Sequence, residues 1–600
     1  MRARQHTQRA VSAEGFCGCY MSCMRRIPVL LTGLFCLSSE AAPLQPGDTV
    51  DNFRLIDHTG KSHELYYLSD MKAVVLAAYS VECEVSGKSA GALEALRSRR
   101  SQDVAVLMID SNLNESREAV AQAAAKAGVT LPILMDETQV IGESLGFTRN
   151  GEALVLNPKG WKVVYHGAAA NALAEAVDAL AADEPVKIAS TDAVGCAIAM
   201  PERDRRSAHA QISYEKTIAP MLLDKCVACH REGGIGPWRM TGYEMIKGFA
   251  PMIREVVRTQ RMPPWHADPH CQTFSNDRGL SHEQVKTLIH WIEAGAPRGA
   301  GVDPLLSQRK DWPKWTLGEP DLVVELPAFT TPATGVIPYQ MVKVKNPLDK
   351  DMWVRAVDYL PGQRSVLHHV IGSAGGAERR GATSLNNYVP GAEPLELPEG
   401  NGIFLPAGAT FHFQMHYTPN GQALTDVTRF GLYFHTDPPK FNFRSLVFAN
   451  SRLKIPANTK EHAETAEQTF KQDAVIYSVH PHAHFRGKSS KFVAYFPDGR
   501  EQVLLNVPAY DFNWQSTYDL AEPLTVPAGT KVVYTQTYDN SSQNKANPDP
   551  DREITWGEQT WDEMIFGVIR YRNVTEDASA APGKPTGPSQ EQLFSQQPSE

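Results

Sequence analysis

The spacing of apolar residues divides this chain into three stretches of different periodicity. Between residues 45 and 180, continuous apolar runs at 74–79 and 104–109 read as buried parallel strands, and the patterns at 89–99 and 115–127 read as helices. Two further runs, 153–156 and 161–165, are joined by Asn157-Pro158-Lys159-Gly160 and predict a hairpin. These signals describe a small α/β domain. From 210 to 300 the pattern changes to helical periodicity, clearest at 253–259 and 281–294. From about Leu317 to residue 575, short strands and Pro/Gly turns predict β-sandwich domains.

Composition narrows the class. Six hundred residues exceed what one hydrophobic core serves, so several domains are expected. A formal net charge of −9 and the lack of a basic arm beyond the N-terminus argue against a nucleic-acid partner. Met24-Arg25-Arg26, an apolar run at 27–37 and small residues up to Ala41 read as an export signal, which implies a periplasmic or secreted protein. The eleven-residue run is short for a membrane span, so no stable span is expected. The tail from 576 to 600, rich in Pro, Ser, Gln and Glu, is expected to be disordered. All nine cysteines lie at or before Cys271, so the last 329 residues cannot depend on disulfides.

Cys226-Val227-Ala228-Cys229-His230 has the spacing of a c-type haem attachment: two thiols for thioethers and an adjoining imidazole for the iron. The alternatives are a Cys226–Cys229 disulfide, or a zinc site completed by Cys271 with His266 or His270. For a sixth ligand, Met262 stands in the proline-stiffened run Arg261-Met262-Pro263-Pro264-Trp265, with Met240, Met245 and His266 as competitors. The stretch 212–300 resembles class I cytochromes c, mainly through its attachment pentapeptide.

Nine histidines lie between 368 and 484. His368 and His369 are adjacent, His412 and His416 frame Phe-Gln-Met, and His480, His482 and His484 alternate, so a strand would send these last three to one face. The adjacent pair would face opposite ways unless its strand is bulged. Imidazole donors suit copper, zinc or iron. The ordered motifs His368-His369, Gln414-Met415-His416-Tyr417, His480-Pro481-His482 and Asp562-Glu563-Met564 resemble the copper type II, ascorbate-dependent monooxygenases, the family of peptidylglycine α-hydroxylating and dopamine β-monooxygenases. That resemblance implies two jelly-roll domains and two copper ions. It assigns His368, His369 and His416 to an electron-donating copper, and His480, His482 and Met564 to a catalytic, oxygen-activating one. His412 and His484 are candidates for orienting those ligands, and Arg486, Tyr417 and residues 538–541 for the wall of a cleft.

Residues 45–180 resemble the thioredoxin-like redoxins of the thiol-specific antioxidant class. Cys83 occupies the catalytic cysteine's place before a helix, Ser86 replaces the second thiol of a Cys-x-x-Cys pair, and Asn150-Gly151-Glu152 stands where a cis-proline loop is usual. Cys196 is a candidate disulfide partner for Cys83 if their Cα atoms come within about 7 Å. A reactive free Cys83 and a structural remnant are the alternatives.

The combined expectation is a thioredoxin-like domain at 45–180, a linker at 181–211, a mainly α cytochrome c-like domain at 212–300, and two β-sandwich domains at 315–450 and 451–575. Its implied activity is hydroxylation of an activated C–H in a small organic or peptide substrate with O2. Electrons would come from an ascorbate-like reductant or a redox protein, through one covalent haem. The alternatives are a non-hydroxylating electron-transfer or copper-binding protein, and a thioredoxin-like thiol oxidoreductase or peroxidase.

Overall fold

The computed structural model describes residues 43–307, 313–376, 383–389 and 394–575, so the expected export signal and C-terminal tail lie outside the described residues. The apolar runs form strands as their patterns predict. Strand β1 (Ala73–Ala78) is buried throughout and pairs in parallel with β2 (Val104–Asp110), which pairs in parallel with β3 (Ile133–Met135). β4 (Glu152–Asn157) and β5 (Lys162–Ala168) extend the sheet antiparallel, giving the order β3-β2-β1-β4-β5. Helices α1 (Glu84–Arg99), α2 (Arg117–Ala127), α3 (Val140–Leu145) and α4 (Asn171–Ala181) complete a thioredoxin-like α/β unit.

Alternation along β1 sorts its side chains between two cores. Ala73, Val75 and Ala77 meet Leu93, Leu96, Val120 and Val177 on one face. Val74, Leu76 and Ala78 belong to the other core, which continues into Ile246, Ile253 and Val257 of α5 (Tyr243–Arg258) and Leu288 and Trp291 of α6 (His282–Glu293). Polar contacts follow the same seam. Arg254 pairs with Asp51 at 2.7 Å, and Arg258 donates to Ser144 Oγ at 2.9 Å. The expectation of a dedicated cytochrome c-like domain is therefore corrected, because these helices bury their apolar stripes in the core of the α/β unit.

The C-terminal half is mainly antiparallel β structure. Its main strands are β6 (Leu322–Glu325), β7 (Gln340–Lys345), β8 (Met352–Leu360), β9 (Leu367–Gly375), β10 (Thr383–Tyr388), β11 (Asn401–Leu405), β12 (Thr410–Tyr417) and β13 (Arg429–Phe434). They continue with β14 (Arg444–Ala449), β15 (His462–Thr469), β16 (Ala474–His482), β17 (Gly487–Tyr495), β18 (Glu501–Val507), β19 (Tyr518–Val526), β20 (Lys531–Tyr538) and β21 (Phe566–Asn573). Four sheets result: β6-β13-β8-β11, β7-β12-β9-β10, β14-β21-β16-β19 and β15-β20-β17-β18. Four such sheets match in number the blades of a four-bladed β-propeller, and the expectation of two jelly-roll domains is corrected to this four-sheet description. Packing alone holds it, through residues such as Phe411, Phe430, Phe492 and Tyr534.

Candidate redox site

At the C-terminal end of β1 the chain turns into α1, and Cys83 is the residue that caps this helix in extended backbone (φ −98°, ψ 110°). The cap position sets its sulfur beside the positive end of the helix dipole, which favours a thiolate when the sulfur is released. Cys83 is only 2% exposed and is bonded to Cys196, with the Cα atoms 5.9 Å apart across 113 residues of sequence. Cys196 is exposed, so the bond joins a buried residue to an exposed one.

A short antiparallel pairing holds Cys196 in place. Arg149–Asn150 pairs with Cys196–Ala197, and Asn150 stands opposite Cys196. The preceding Gly195 has φ +112°, and a Cβ there would lie 1.7 Å from the Asn150 carbonyl oxygen, so the close approach requires glycine. Asn150 in turn exchanges side-chain hydrogen bonds with Asn112, which also donates to Asp110 at 2.8 Å and to the Tyr79 carbonyl at 2.9 Å. Burial, with Glu115 adding to it, pushes the Asp110 carboxyl up to about 8. Ser86, where a second thiol would complete Cys-x-x-Cys, is buried and accepts the Ser80 backbone N–H at 3.0 Å.

The disulfide in the structure is not at the expected haem segment. The disulfide is Cys83–Cys196, whereas Cys226 and Cys229 are free thiols, the first pushed up to about 12 by burial and the second also raised by burial. His230 Nδ1 lies 3.0 Å from the Trp238 carbonyl, and the Trp238 ring stacks on Phe249. Met262 lines a separate cavity with Trp265 and His266.

Three of the β-half histidines do meet. His369 on β9 stands opposite His416 on β12, and the register slips between Leu367 and His369, which lets His368 turn toward the same place. One ligand atom from each of His368, His369 and His416 lies within 4.8 Å of the others. His368 Nε2, His369 Nε2 and His416 Nδ1 are buried without a hydrogen-bond partner. Burial holds all three imidazoles neutral, with His368 lowered to about 4 and His416 to about 3.

The other sequence candidates take separate partners. His480 Nδ1 is 3.3 Å from Thr517 Oγ1, His482 Nδ1 is 2.6 Å from Gln515 Oε1, and His484 Nδ1 is 3.3 Å from the Asp562 carbonyl. Met564 is buried in the apolar core nearby. Phe512 stacks on His368 and meets His484 edge-on, so one ring lies between the two groups of histidines. His412 Nε2 lies 2.9 Å from the Gly376 carbonyl. Tyr417 donates to Asp426, and Arg486 donates to Asn540 and the Trp561 carbonyl, so these two serve the framework.

Residues 46–165 match the AhpC/TSA family. No curated protein matches the chain. Among solved structures, a hypothetical protein of Sinorhizobium meliloti is 23% identical, covering 26% of this chain and 94% of its own, with a TM-score of 0.25. The peroxidoxin BcpB of Mycobacterium tuberculosis is 20% identical over 23% of this chain and 95% of its own, with a TM-score of 0.20. A thiol-disulfide oxidoreductase of Bacteroides fragilis is 17% identical over 20% of this chain and 89% of its own, with a TM-score of 0.18. The family match supports the thioredoxin-like reading of the N-terminal unit and lends none to a copper monooxygenase or a c-type cytochrome. The expectations of a copper-dependent hydroxylase, two copper ions and a covalent haem are corrected accordingly. The three-histidine cluster has donors fit for a metal ion, and nothing in its geometry singles out copper.

Proposed function

We propose that this protein is a thiol–disulfide oxidoreductase that cycles the Cys83–Cys196 pair. The observation that carries the reading is the disulfide's asymmetry within a thioredoxin-like unit: Cys83 is buried at the start of α1, and Cys196 is exposed. An incoming thiolate attacks Cys196 Sγ, a mixed disulfide forms, the Cys83–Cys196 bond breaks, and Cys83 leaves as a thiolate beside the helix N-terminus. A second thiolate from the same dithiol partner attacks its own sulfur of the mixed disulfide and releases Cys196. The protein gains two electrons and the partner becomes a disulfide. In reverse, the reduced pair reduces a substrate disulfide.

The partner is a redox protein, and an oxidising compartment suits the disulfide, in keeping with a periplasmic or secreted location. Among the described residues no helix is long and apolar enough to cross a membrane. A direct test is turnover of a small disulfide by the full chain. Wild type should support it, and C83S and C196S should each fall to background. Turnover by both variants at the wild-type rate would defeat the assignment, and reoxidation far faster by hydroperoxide than by disulfide would move it to a peroxidase.

A second reading concerns the β half. Three buried imidazole nitrogens without hydrogen-bond partners favour a bound metal ion at His368, His369 and His416. Metal analysis of wild type against H416A tests it, with loss of one equivalent expected.

A further inference from the structure

A cavity of about 210 Å3 lies where three parts of the chain meet. The α/β unit lines it with Met135 of β3 and Ile141 of α3, the helical segment with Val257 and Arg258 of α5 and Trp265 beyond it, and the β half with Ala509. We propose that this cavity binds a small organic monocarboxylate, with the carboxylate on Arg258 and the apolar body against the surrounding side chains.

Arg258 carries the inference. As the last residue of α5 it stands where the helix dipole favours a cation, which accounts for its charge. The dipole does not account for its burial. Arg258 is 4% exposed, and its Nη2 donates to Ser144 Oγ at 2.9 Å. Its Nε and Nη1 are buried without a hydrogen-bond partner. Asp51 Oδ2 is 4.0 Å from Nη1, beyond hydrogen-bond reach, and is bonded by Arg254 at 2.7 Å. Burial, with Arg254 adding to it, lowers the guanidinium to about 10, so it keeps its charge at neutral pH. A buried cation with two idle donors is costly, and an anion that accepts from them offsets the cost.

The other charged side chains of the lining have partners of their own. Arg54 pairs with Glu64 at 2.6 Å and Arg117 with Asp268 at 2.8 Å. Glu137 is held by His270 at 2.8 Å and His282 at 3.2 Å, and Asp277 accepts the Gly279 backbone N–H at 2.6 Å. Burial keeps His266 neutral by lowering it to about 4. Arg258 is therefore the charge of the lining left to a ligand.

Size and polarity narrow the ligand further. A cavity of roughly 150 Å3 is enough for benzene, so this one has room for a ring or short chain together with its carboxylate. Ile56, Met262, Leu280 and Val285 extend the apolar wall. A free phosphate would press its remaining oxygens against that wall, whereas a monocarboxylate presents carbon to it. Neither Cys83 nor Cys196 lines the cavity, and the site does not depend on the thiol chemistry proposed above.

Isothermal titration calorimetry of the full chain with benzoate and with hexanoate tests the site, with benzamide as the uncharged isostere and inorganic phosphate as the bare anion. Wild type should bind at least one of the two acids saturably at one site, about tenfold or more tighter than benzamide or phosphate. R258Q removes the charge and should weaken that binding by about tenfold or more. V285F narrows the cavity from α6, leaves Arg258 in place and should weaken it likewise. Failure of wild type to bind either acid, equal binding of benzamide or phosphate, or unchanged affinity in either folded variant would overturn the proposal. If R258Q loses the wild-type circular dichroism spectrum, V285F decides alone: weakened binding sustains the site and unchanged binding defeats it.

Discussion

The Cys83–Cys196 pair and the His368–His369–His416 cluster both hide reactive atoms inside the molecule, yet their valences are closed differently. In the thioredoxin-like unit each sulfur is bonded to the other, and the Cys83 sulfur also accepts the Cys196 backbone N–H at 3.2 Å. In the β half, three imidazole nitrogens are buried with no hydrogen-bond partner. The first site is chemically complete and needs a second molecule only to turn over. The second presents three donor atoms that no protein hydrogen bond uses. Desolvation acts in both places, and at the histidines it leaves three converging ring nitrogens unmatched, so a ligand should stabilise the β half and a reductant should act on the α/β unit.

The largest effect should come from breaking the disulfide. Removing a cross-link that closes a loop of 113 residues is expected to cost about 4–5 kcal/mol by chain entropy, measurable as a lower denaturation midpoint in C83S and C196S. Both variants should lose exchange activity together. Next, H416A should abolish the rise in melting temperature that a metal ion gives wild type, a stabilisation of about 2.7 kcal/mol at a hundredfold excess over Kd. It should leave thiol exchange untouched, and loss of both would mean that the two regions are coupled.

A smaller effect is expected from G195A. The added methyl group collides with the Asn150 carbonyl in a backbone region that disfavours side chains, so the Cys196 strand should lift away at a cost of about 1–3 kcal/mol. Trapping by alkylation should then show a larger fraction of reduced Cys83 at a given thiol concentration. The last effect concerns Asp110. Its carboxyl is raised in the folded state, so its contribution to stability is full below the unfolded value near 3.8 and is lost as pH rises through about 8. D110N should flatten the decline of melting temperature between pH 5 and 8, and an unchanged profile would show that the carboxyl is ionised in the fold.

Local pattern and spacing carried much of this, and long-range pairing carried the rest. The apolar run that became β1 is readable because a central strand is buried on both faces, and Cys83 is readable because it follows that strand and precedes a helix. Its bond to Cys196 depends on Asn150 offering an edge to a segment far away in sequence, which spacing cannot show. The grouping of His368 and His369 with His416 came from a family resemblance and not from periodicity, since a regular strand would turn the adjacent pair to opposite faces and only the bulge in the register brings them together.

The helices after residue 240 show why other readings failed. Helical periodicity says which stripe of α5 and α6 is apolar but not what covers it, and the α/β sheet covers it here. Cys226-Val227-Ala228-Cys229-His230 invited a haem by spacing alone, without knowledge of that shared core.

The central claim is that Cys83–Cys196 opens and closes in the folded protein. The most direct measurement equilibrates the intact chain with dithiol/disulfide buffers of graded composition, quenches by alkylation and maps the labelled cysteines, with near-ultraviolet circular dichroism followed in parallel. The account predicts a reversible two-electron transition in which Cys83 and Cys196 become labelled together while the tertiary spectrum persists. A disulfide that stays closed until the spectrum is lost would contradict it and make the bond a structural cross-link.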